Sequence, residues 1–314
     1  MLRFILIRLL TAIPTLIIVA VTVFVLIRLI PGDPAQLMLG DLADPVSIAA
    51  LRHQLGLDRD IFVQFGLWAG HVLELDLGRS ITTQQEVLPL ILTRFAVSVQ
   101  IVLTAVLLAS LIAIPAGTFA AWRHNSRVDV ATVATATLFL SIPTFWLGLL
   151  LLLLLGVKLG WLPVVGYVSI ADNPLVGALY LIMPVLTLLL HESGSLLRMA
   201  RASTLEVLRL DYVTHARAKG LSEFAVLRRH VFKNAFGPSW TLIGLLLGHL
   251  LGGVAVVETV FTVPGLGRLL VEAIFARDYP VIQGCLLFVG VAYVLVNLVV
   301  DLCYPIFDPR VAAS

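Results

Sequence analysis

The feature that most restricts this chain is a series of six apolar runs, each able to cross about 30 Å of hydrocarbon as a helix of roughly 20 residues. They lie near 9–30, 98–121, 132–157, 177–195, 238–258 and 282–304. Spanning segments have to satisfy their backbone polar groups internally, which leaves helices as the natural solution for runs of this length. Composition agrees: 60% of the 314 residues are hydrophobic and 13% are charged, against about half and a quarter in soluble domains. The predicted fold class is therefore an all-α polytopic membrane protein with six transmembrane helices. Pro184 interrupts the fourth run and His191-Glu192 fall near its end, so neighbouring helices have to satisfy the freed backbone groups there.

Charge distribution orients the chain. Arg3 and Arg8 precede the first run, Arg123 and Arg127 separate the second from the third, and a basic island separates the fourth from the fifth. Segment 31–95, in contrast, carries Asp33, Asp41, Asp44, Asp58, Asp60, Glu74, Asp76 and Glu86 against Arg52, Arg59, Arg79 and Arg94. Basic loops are retained in the cytoplasm, so both termini are expected inside and 31–95 outside. The first run exceeds the 7–15 apolar residues of a signal peptide, and no small-x-small cleavage site precedes Pro31, so it is expected to stay as a helix. The expected divisions are 1–30 as leader and first helix, 31–95 as an external lobe, 96–304 as a five-helix core containing the loop 198–236, and 305–314 as a cytoplasmic tail. Within the lobe, Asp44-Pro45 is a helix start, and the helix is expected to run through Leu55 and close at Gly56.

The basic island holds Arg198, Arg201, Arg209, Arg217, Lys219, Arg228, Arg229 and Lys233 against Glu206, Asp211 and Glu223. A charged stretch between membrane-length runs lies in water and is suited to meet a cytoplasmic partner. Its spacing predicts two short helices. Ser203 or Thr204 caps the first, Gly220 ends it in the left-handed conformation, Ser222 caps the second, and Gly237-Pro238 stops it. Phe224, Leu227, Val231 and Ala235 are expected to share the apolar face of the second helix.

The words Asp211-Tyr212-Val213, Ala216-Arg217-Ala218-Lys219-Gly220-Leu221, Arg229-His230 and Asn234-Ala235 resemble the "EAA loop" of permease subunits in bacterial ABC importers, most closely the dipeptide, oligopeptide and nickel branch. Val213, Thr214, His215 and Ala216 stand where the general pattern has an acidic residue and two alanines, a departure typical of that branch. The likeness extends to Gln54-Leu55-Gly56-Leu57-Asp58, Leu75-Asp76-Leu77-Gly78-Arg79-Ser80, the Gly- and Pro-rich 258–284, Asn297 to Asp301 and Asp308-Pro309-Arg310, nearly the whole chain. It implies a helix–turn–helix coupling loop whose Ala216 and Gly220 seat it in a groove of an ATPase subunit. The residues carried over for ATPase coupling are Asp211, Ala216, Arg217, Lys219, Gly220, Leu221, Arg229 and Asn234. Further implied partners are a second, related permease to form a heterodimeric pore, one or two cytoplasmic ATPase subunits and an external substrate-binding protein. The implied location is the bacterial inner membrane, in contact with lipid; no nucleic-acid partner is expected.

The chain's own chemistry is sparse. A phosphate-cradling loop needs Gly-Lys-Ser/Thr, but Lys158, Lys219 and Lys233 follow Val157, Ala218 and Phe232. ATP and Mg²⁺ are thus expected on partner subunits, with no cofactor in this chain. His191-Glu192 opens a zinc-protease motif but meets Ser195 where a second histidine is required, and a serine-protease motif would need glycine in place of His191. No enzymatic activity is expected. Ionisable groups within spans are costly, which marks His249 and Glu258 as candidate pore-lining groups; for His249 the bland alternative is an interhelical hydrogen bond, and for Glu258 a place at headgroup level. Asp301 is expected to cap helix termini beside Arg310. Gly244, Gly248, Gly252 and Gly253 form a stripe for close helix packing. Cys285 and Cys303 lie about 27 Å apart along one helix and cannot pair.

The reading is a permease subunit of an ATP-driven importer for small peptides, with a nickel chelate or glutathione as alternative cargo in the same family. An ion-coupled transporter would need several buried carboxylates and an inverted repeat, neither of which is seen.

Overall fold

The computed structural model describes residues 2–29, 36, 44–54, 56 and 58–307. Pro31 to Pro34, Asp41, Leu55 and the tail containing Asp308-Pro309-Arg310 lie outside the described residues. The membrane helices, in chain order with their connecting helices, are α1 (Leu2–Leu29), α2 (Pro45–Gln54), α3 (Ile61–Leu73), α4 (Val87–Trp122), α5 (Arg127–Ser141), α6 (Thr144–Leu151), α7 (Pro174–Leu208), α8 (Asp211–Ala218), α9 (Glu223–Val226), α10 (Lys233–Gly253), α11 (Ala255–Val260), α12 (Leu266–Ala276) and α13 (Tyr279–Phe307). Wider π-helical turns, Leu152–Lys158 and Leu227–Phe232, extend α6 and join α9 to α10.

Among the described residues, five helices are long and apolar enough to cross a membrane, and the α5–α6 pair makes a sixth span if counted as one. That pair bends by 97°. The cause is local: Ile142 is extended, with φ −84° and ψ 124°, as a residue before proline prefers, and Pro143 has no N–H to continue the helix. Pro115, Pro184 and Pro238, by contrast, lie inside continuous helices. α4 begins at Val87, ahead of the expected lobe boundary at 95, and the fifth span ends at Gly253 rather than 258.

Helices α4 and α7 form the central pair, with α5 and α10 against α7, and α13 linking α10 to the outlying α1. Small residues set these distances. A Cβ on Gly117 would strike the Leu197 carbonyl, and one on Gly194 would come 2.6 Å from the Ala136 carbonyl. Along α10, a Cβ on Gly244 would lie 2.6 Å from Val300 and one on Gly248 2.7 Å from Tyr293. The glycine stripe is thus a packing face for α13. The adjoining face of α10, with Thr241, Leu245 and His249, is exposed in the single chain.

At one end of the bundle, Ile27, Val87, Ile91, Leu266, Leu269, Val281 and Cys285 form an apolar cluster beneath the lobe. α2 starts as expected, with Asp44 Oδ1 accepting from Ser47 N at 3.2 Å, and Gly56 after it takes φ +67°. Phe24 of α1 stacks with Phe65 and Trp68 of α3, and the Arg28 guanidinium lies 3.3 Å from the Phe24 ring centroid. Asp301 lies within α13 and does not cap it; its carboxylate meets Arg8 Nη1 at 2.9 Å, joining the start of α1 to the end of α13, while Arg310 lies outside the described residues.

Candidate functional site

The polar island folds as a small unit at the end of the bundle opposite the lobe cluster. Ser203 and Thr204 do not cap a new helix, because α7 runs on through them to Leu208. Both are buried, with Ser203 Oγ donating to Met199 O and Thr204 Oγ1 lying 3.5 Å from Thr118 Oγ1 of α4. The first short helix is α8 instead, entered at an extended Leu210 without a side-chain cap. Gly220 turns the chain at φ +80°, and Ser222 Oγ accepts from Ala225 N at 3.4 Å to start α9. Gly237-Pro238 does not stop the second helix, which continues through the π-helical turn into α10.

That turn changes which residues are buried. A π-helical turn adds a residue relative to an α-helical one and rotates what precedes it. The buried row is Val226, Val231 and Ala235, packed with Val207, Val213 and Ala216 and flanked by Leu221 and Leu227. Phe224, expected on the apolar face, is 66% exposed. Sequence periodicity places it inside only if the helix keeps 3.6 residues per turn throughout.

Of the residues carried over for coupling, Ala216 is buried in this small core and Leu221 is half-buried. Asp211, Arg217, Lys219, Gly220, Arg229 and Asn234 are exposed. Asn234 Nδ2 donates to His230 O at 2.7 Å, tying it to the preceding turn. Arg217 closes the Gly220 turn with a two-pronged contact to Glu223, Nε to Oε1 at 3.0 Å and Nη2 to Oε2 at 3.3 Å. Trp122 Nε1, at the end of α4, also donates to Glu223 Oε2, at 3.4 Å.

A second brace was not singled out from the sequence. Asp129, at the start of α5, is 2% exposed and accepts from Arg201 Nε at 2.6 Å and Nη2 at 2.9 Å. It also accepts from Asn125 N at 3.0 Å, with His124 Nδ1 at 3.2 Å. Ser126 caps α5 by accepting from Asp129 N. The island's Arg201 is therefore an internal clamp between α5 and α7. An Asp three residues after a Ser at a helix start is the one sequence signal that pointed here.

Glu258, a candidate for the pore, is fully buried within the chain. Ser98 Oγ donates to its Oε1 at 2.5 Å and Arg268 N donates to Oε2 at 2.8 Å, while Leu266 N donates to Ser98 Oγ at 2.8 Å. A Cβ on Gly265 would overlap the carboxylate. Its carboxylate holds the α11–α12 turn against α4. The Gly- and Pro-rich segment was legible as a shaped turn; the need of its free amides for a buried acceptor was the missed clue. His249 remains on the exposed face of α10.

Beside this turn, Asp278 fastens the lobe. Ser80 Oγ and Thr82 Oγ1 donate to its Oδ2 at 2.5 and 2.9 Å, and Ile81 N donates to Oδ1 at 3.1 Å. Burial pushes this carboxyl upward, but the donors from Ser80, Ile81 and Thr82 outweigh it and hold the group below the usual aspartate range. Among the described residues, no three His, Cys, Asp or Glu side chains are grouped to hold a metal ion.

Comparison with known proteins places this architecture. Residues 113–313 match the model of the binding-protein-dependent transport system inner membrane component, and residues 1–104 match that family's N-terminal membrane component. The chain is 43% identical over 304 residues to a putative peptide transport system permease protein of Brucella suis, covering 97% of each chain. It is 40% identical over 308 residues to a probable peptide ABC transporter permease protein of Sinorhizobium fredii, covering 98% of each. It is 43% identical over 311 residues to a glutathione transport system permease protein of Salmonella typhi, covering 99% of each. The chain belongs to the inner membrane components of binding-protein-dependent ABC transport systems, as a transport permease subunit and not an enzyme.

Proposed function

We propose that this chain forms one half of the translocation pore of an ATP-driven importer for small peptides. The observation that carries the coupling part is the α8–Gly220–α9 unit, which presents charged residues on a core of its own and is braced to three membrane helices. Arg217 and Trp122 tie it to α4 through Glu223; the shared core with Val207 ties it to α7; and the Asp129–Arg201 clamp ties α7 to α5. A push on this unit moves long rigid levers. α7 has 35 residues, about 52 Å at 1.5 Å per residue, so a small rotation at one end becomes a shift at the other. Such levers suit alternating access by rigid-body motion.

In this reading Gly220, Lys219, Arg217, Asp211, Arg229 and Asn234 face the ATPase, and Ala216 and Leu221 keep the two helices together. A second, related permease completes the pore as a heterodimer, and an external binding protein delivers cargo. ATP and Mg²⁺ are held by the ATPase subunits, since the chain has no phosphate-cradling sequence. Both termini and the coupling unit lie in the cytoplasm, as the basic residues flanking α1, α5 and α8 favour.

Peptide cargo is supported by likeness to the Brucella and Sinorhizobium permeases along nearly the full chain. Glutathione, itself a tripeptide, is a second reading on the equal identity to the Salmonella permease. A nickel chelate draws no support from the side chains, which form no metal-holding group among the described residues. Uptake of labelled dipeptide, glutathione and nickel by cells with and without this subunit tests the cargo. Loss of dipeptide uptake alone on deletion is the expected result. Loss of nickel uptake with peptide uptake intact would overturn it.

A further inference from the structure

His191-Glu192 was expected near the end of a span, yet it stands at the middle of α7, with Leu189 and Leu196 on either side in the apolar core shared with Leu242, Ile243 and Leu246 of α10. Glu192 is 6% exposed. Among the described residues no hydrogen bond or ion pair reaches its carboxylate, and the titratable groups whose fields reach it are His191 on its own helix and His249 on α10. Beside it, His191 Nδ1 and Ser193 Oγ are enclosed without a partner. Packing does not explain this arrangement. Every other buried carboxylate described above has donors: Asp129 has Arg201, Asp278 has Ser80 and Thr82, and Glu258 has Ser98. An unpaired carboxylate within a span is among the costliest groups a chain can keep, and such groups mark ligand or ion paths.

The arrangement also has a way out. α10 packs its glycine face on α13, whereas the adjoining face that carries Leu245 and His249 is uncovered. His249, exposed on that face and within electrostatic reach of Glu192, relates this group to the uncovered side of the bundle. Imidazole nitrogens supply donors and acceptors beside the carboxylate, so the site is suited to a small cation that also forms hydrogen bonds. Three such groups on two helices are not arranged to hold a metal ion. A primary ammonium fits the chemistry, as three donors can meet one carboxylate and two ring nitrogens.

We infer that Glu192, flanked by His191 and His249, is a station in the translocation path that receives the α-ammonium group of a peptide in transit. This rests on the peptide reading above and deepens it: every unblocked peptide carries that group whatever its side chains, so one carboxylate serves a whole cargo class. Glutathione carries it as well.

The test uses the complete importer in cells, with uptake of a labelled free dipeptide and of its N-acetyl derivative each expressed relative to wild type for the same compound. That ratio cancels any selection by the other subunits. Glu192→Gln is expected to lower free-dipeptide uptake about tenfold or more, the scale of losing one charge-assisted hydrogen bond, while the N-acetyl ratio stays near one. Glu192→Asp is expected to restore most uptake, and both variants to yield the same amount of assembled complex from membranes. Equal losses for the two compounds, or no loss for either, would overturn the station. If wild type imports neither compound, the peptide reading itself fails and the station with it; if it imports dipeptide regardless of residue 192, only the station fails.

Discussion

Arg201 on α7 grips the buried carboxylate of Asp129 on α5 from two nitrogens, at 2.6 and 2.9 Å, across 72 positions of sequence. The pair stands where the levers emerge from the bundle, so its loss should loosen α5 and strand a charge. Breaking a buried ion pair from one side costs about 3–5 kcal/mol. Asp129→Ala is therefore expected to lower the unfolding temperature of the detergent-solubilised subunit sharply. Arg201→Lys is expected to rescue little, because an ammonium cannot repeat the two-pronged geometry. An Asp129→Ala variant that melts with wild type would show the clamp to be dispensable.

Gly220 carries a different kind of prediction. It sits at φ +80° with nothing within 4 Å of a built Cβ, so the obstacle to substitution is the backbone and not the space. A β-branched residue there costs about 1–2 kcal/mol in the left-handed region, enough to misdirect α9 without unfolding the spans. Gly220→Val is expected to reach the membrane in normal amount while co-purifying with less ATPase and transporting less. A stably inserted variant with full transport would contradict the docking role.

These two positions show what was legible in the sequence. The span count, the turn at Gly220 and the cap at Ser222 follow from local chemistry, namely hydrophobic length, a residue tolerant of positive φ and a hydroxyl before a helix. Interruptions at Pro143 and the failure of Pro238 to interrupt are not local in that sense; the first is stopped by its extended neighbour Ile142, the second is carried within α10. Phe224 was misplaced because a π-helical turn shifts the register after it is chosen by packing. Long-range partners were hidden altogether. Nothing local says that Arg201 turns inward to Asp129 rather than outward with the other island cations, or that Glu258 finds Ser98 across 160 positions.

The Asp278 latch should make the lobe sensitive to acid. Its carboxyl is held below the ordinary aspartate value of 3.8 by the donors of Ser80, Ile81 and Thr82 acting against burial. A depressed native pKa means that the ionised latch stabilises fully above the unfolded value and that this contribution is lost as pH falls through the native one. The contribution should thus be intact at neutral pH, begin to fall below about pH 4 and disappear only as pH drops through the lower native value. Asp278→Asn is expected to lower the unfolding temperature near pH 7 and to flatten the acid part of the profile. An unchanged acid limb in the variant would assign that limb to other carboxylates.

Gly265 tests the buried Glu258 brace by sterics alone. A methyl group there would overlap the carboxylate, and the surrounding Ser98, Leu266 and Arg268 bonds leave it little room to retreat. Overpacking of this kind costs about 1–3 kcal/mol. Gly265→Ala is expected to destabilise the subunit, and Gly265→Ala combined with Glu258→Ala to add less than the two single losses. Strict additivity in that double-mutant comparison would mean the two positions do not share a contact.

The Arg8–Asp301 bond brings the start of α1 and the end of α13 to the same end of the bundle, as an even number of crossings requires. The count is even only if the α5–α6 pair, bent by 97°, spans the membrane as one unit. In a background lacking Cys285 and Cys303, cysteines replacing Asp60 and Thr83 are expected to react with an impermeant thiol reagent added outside intact cells. A cysteine replacing Ser222 is expected to react only after the membrane is opened. Should Ser222→Cys react from outside, the α5–α6 pair would have to enter and leave on one side, and the coupling unit would face away from any cytoplasmic ATPase.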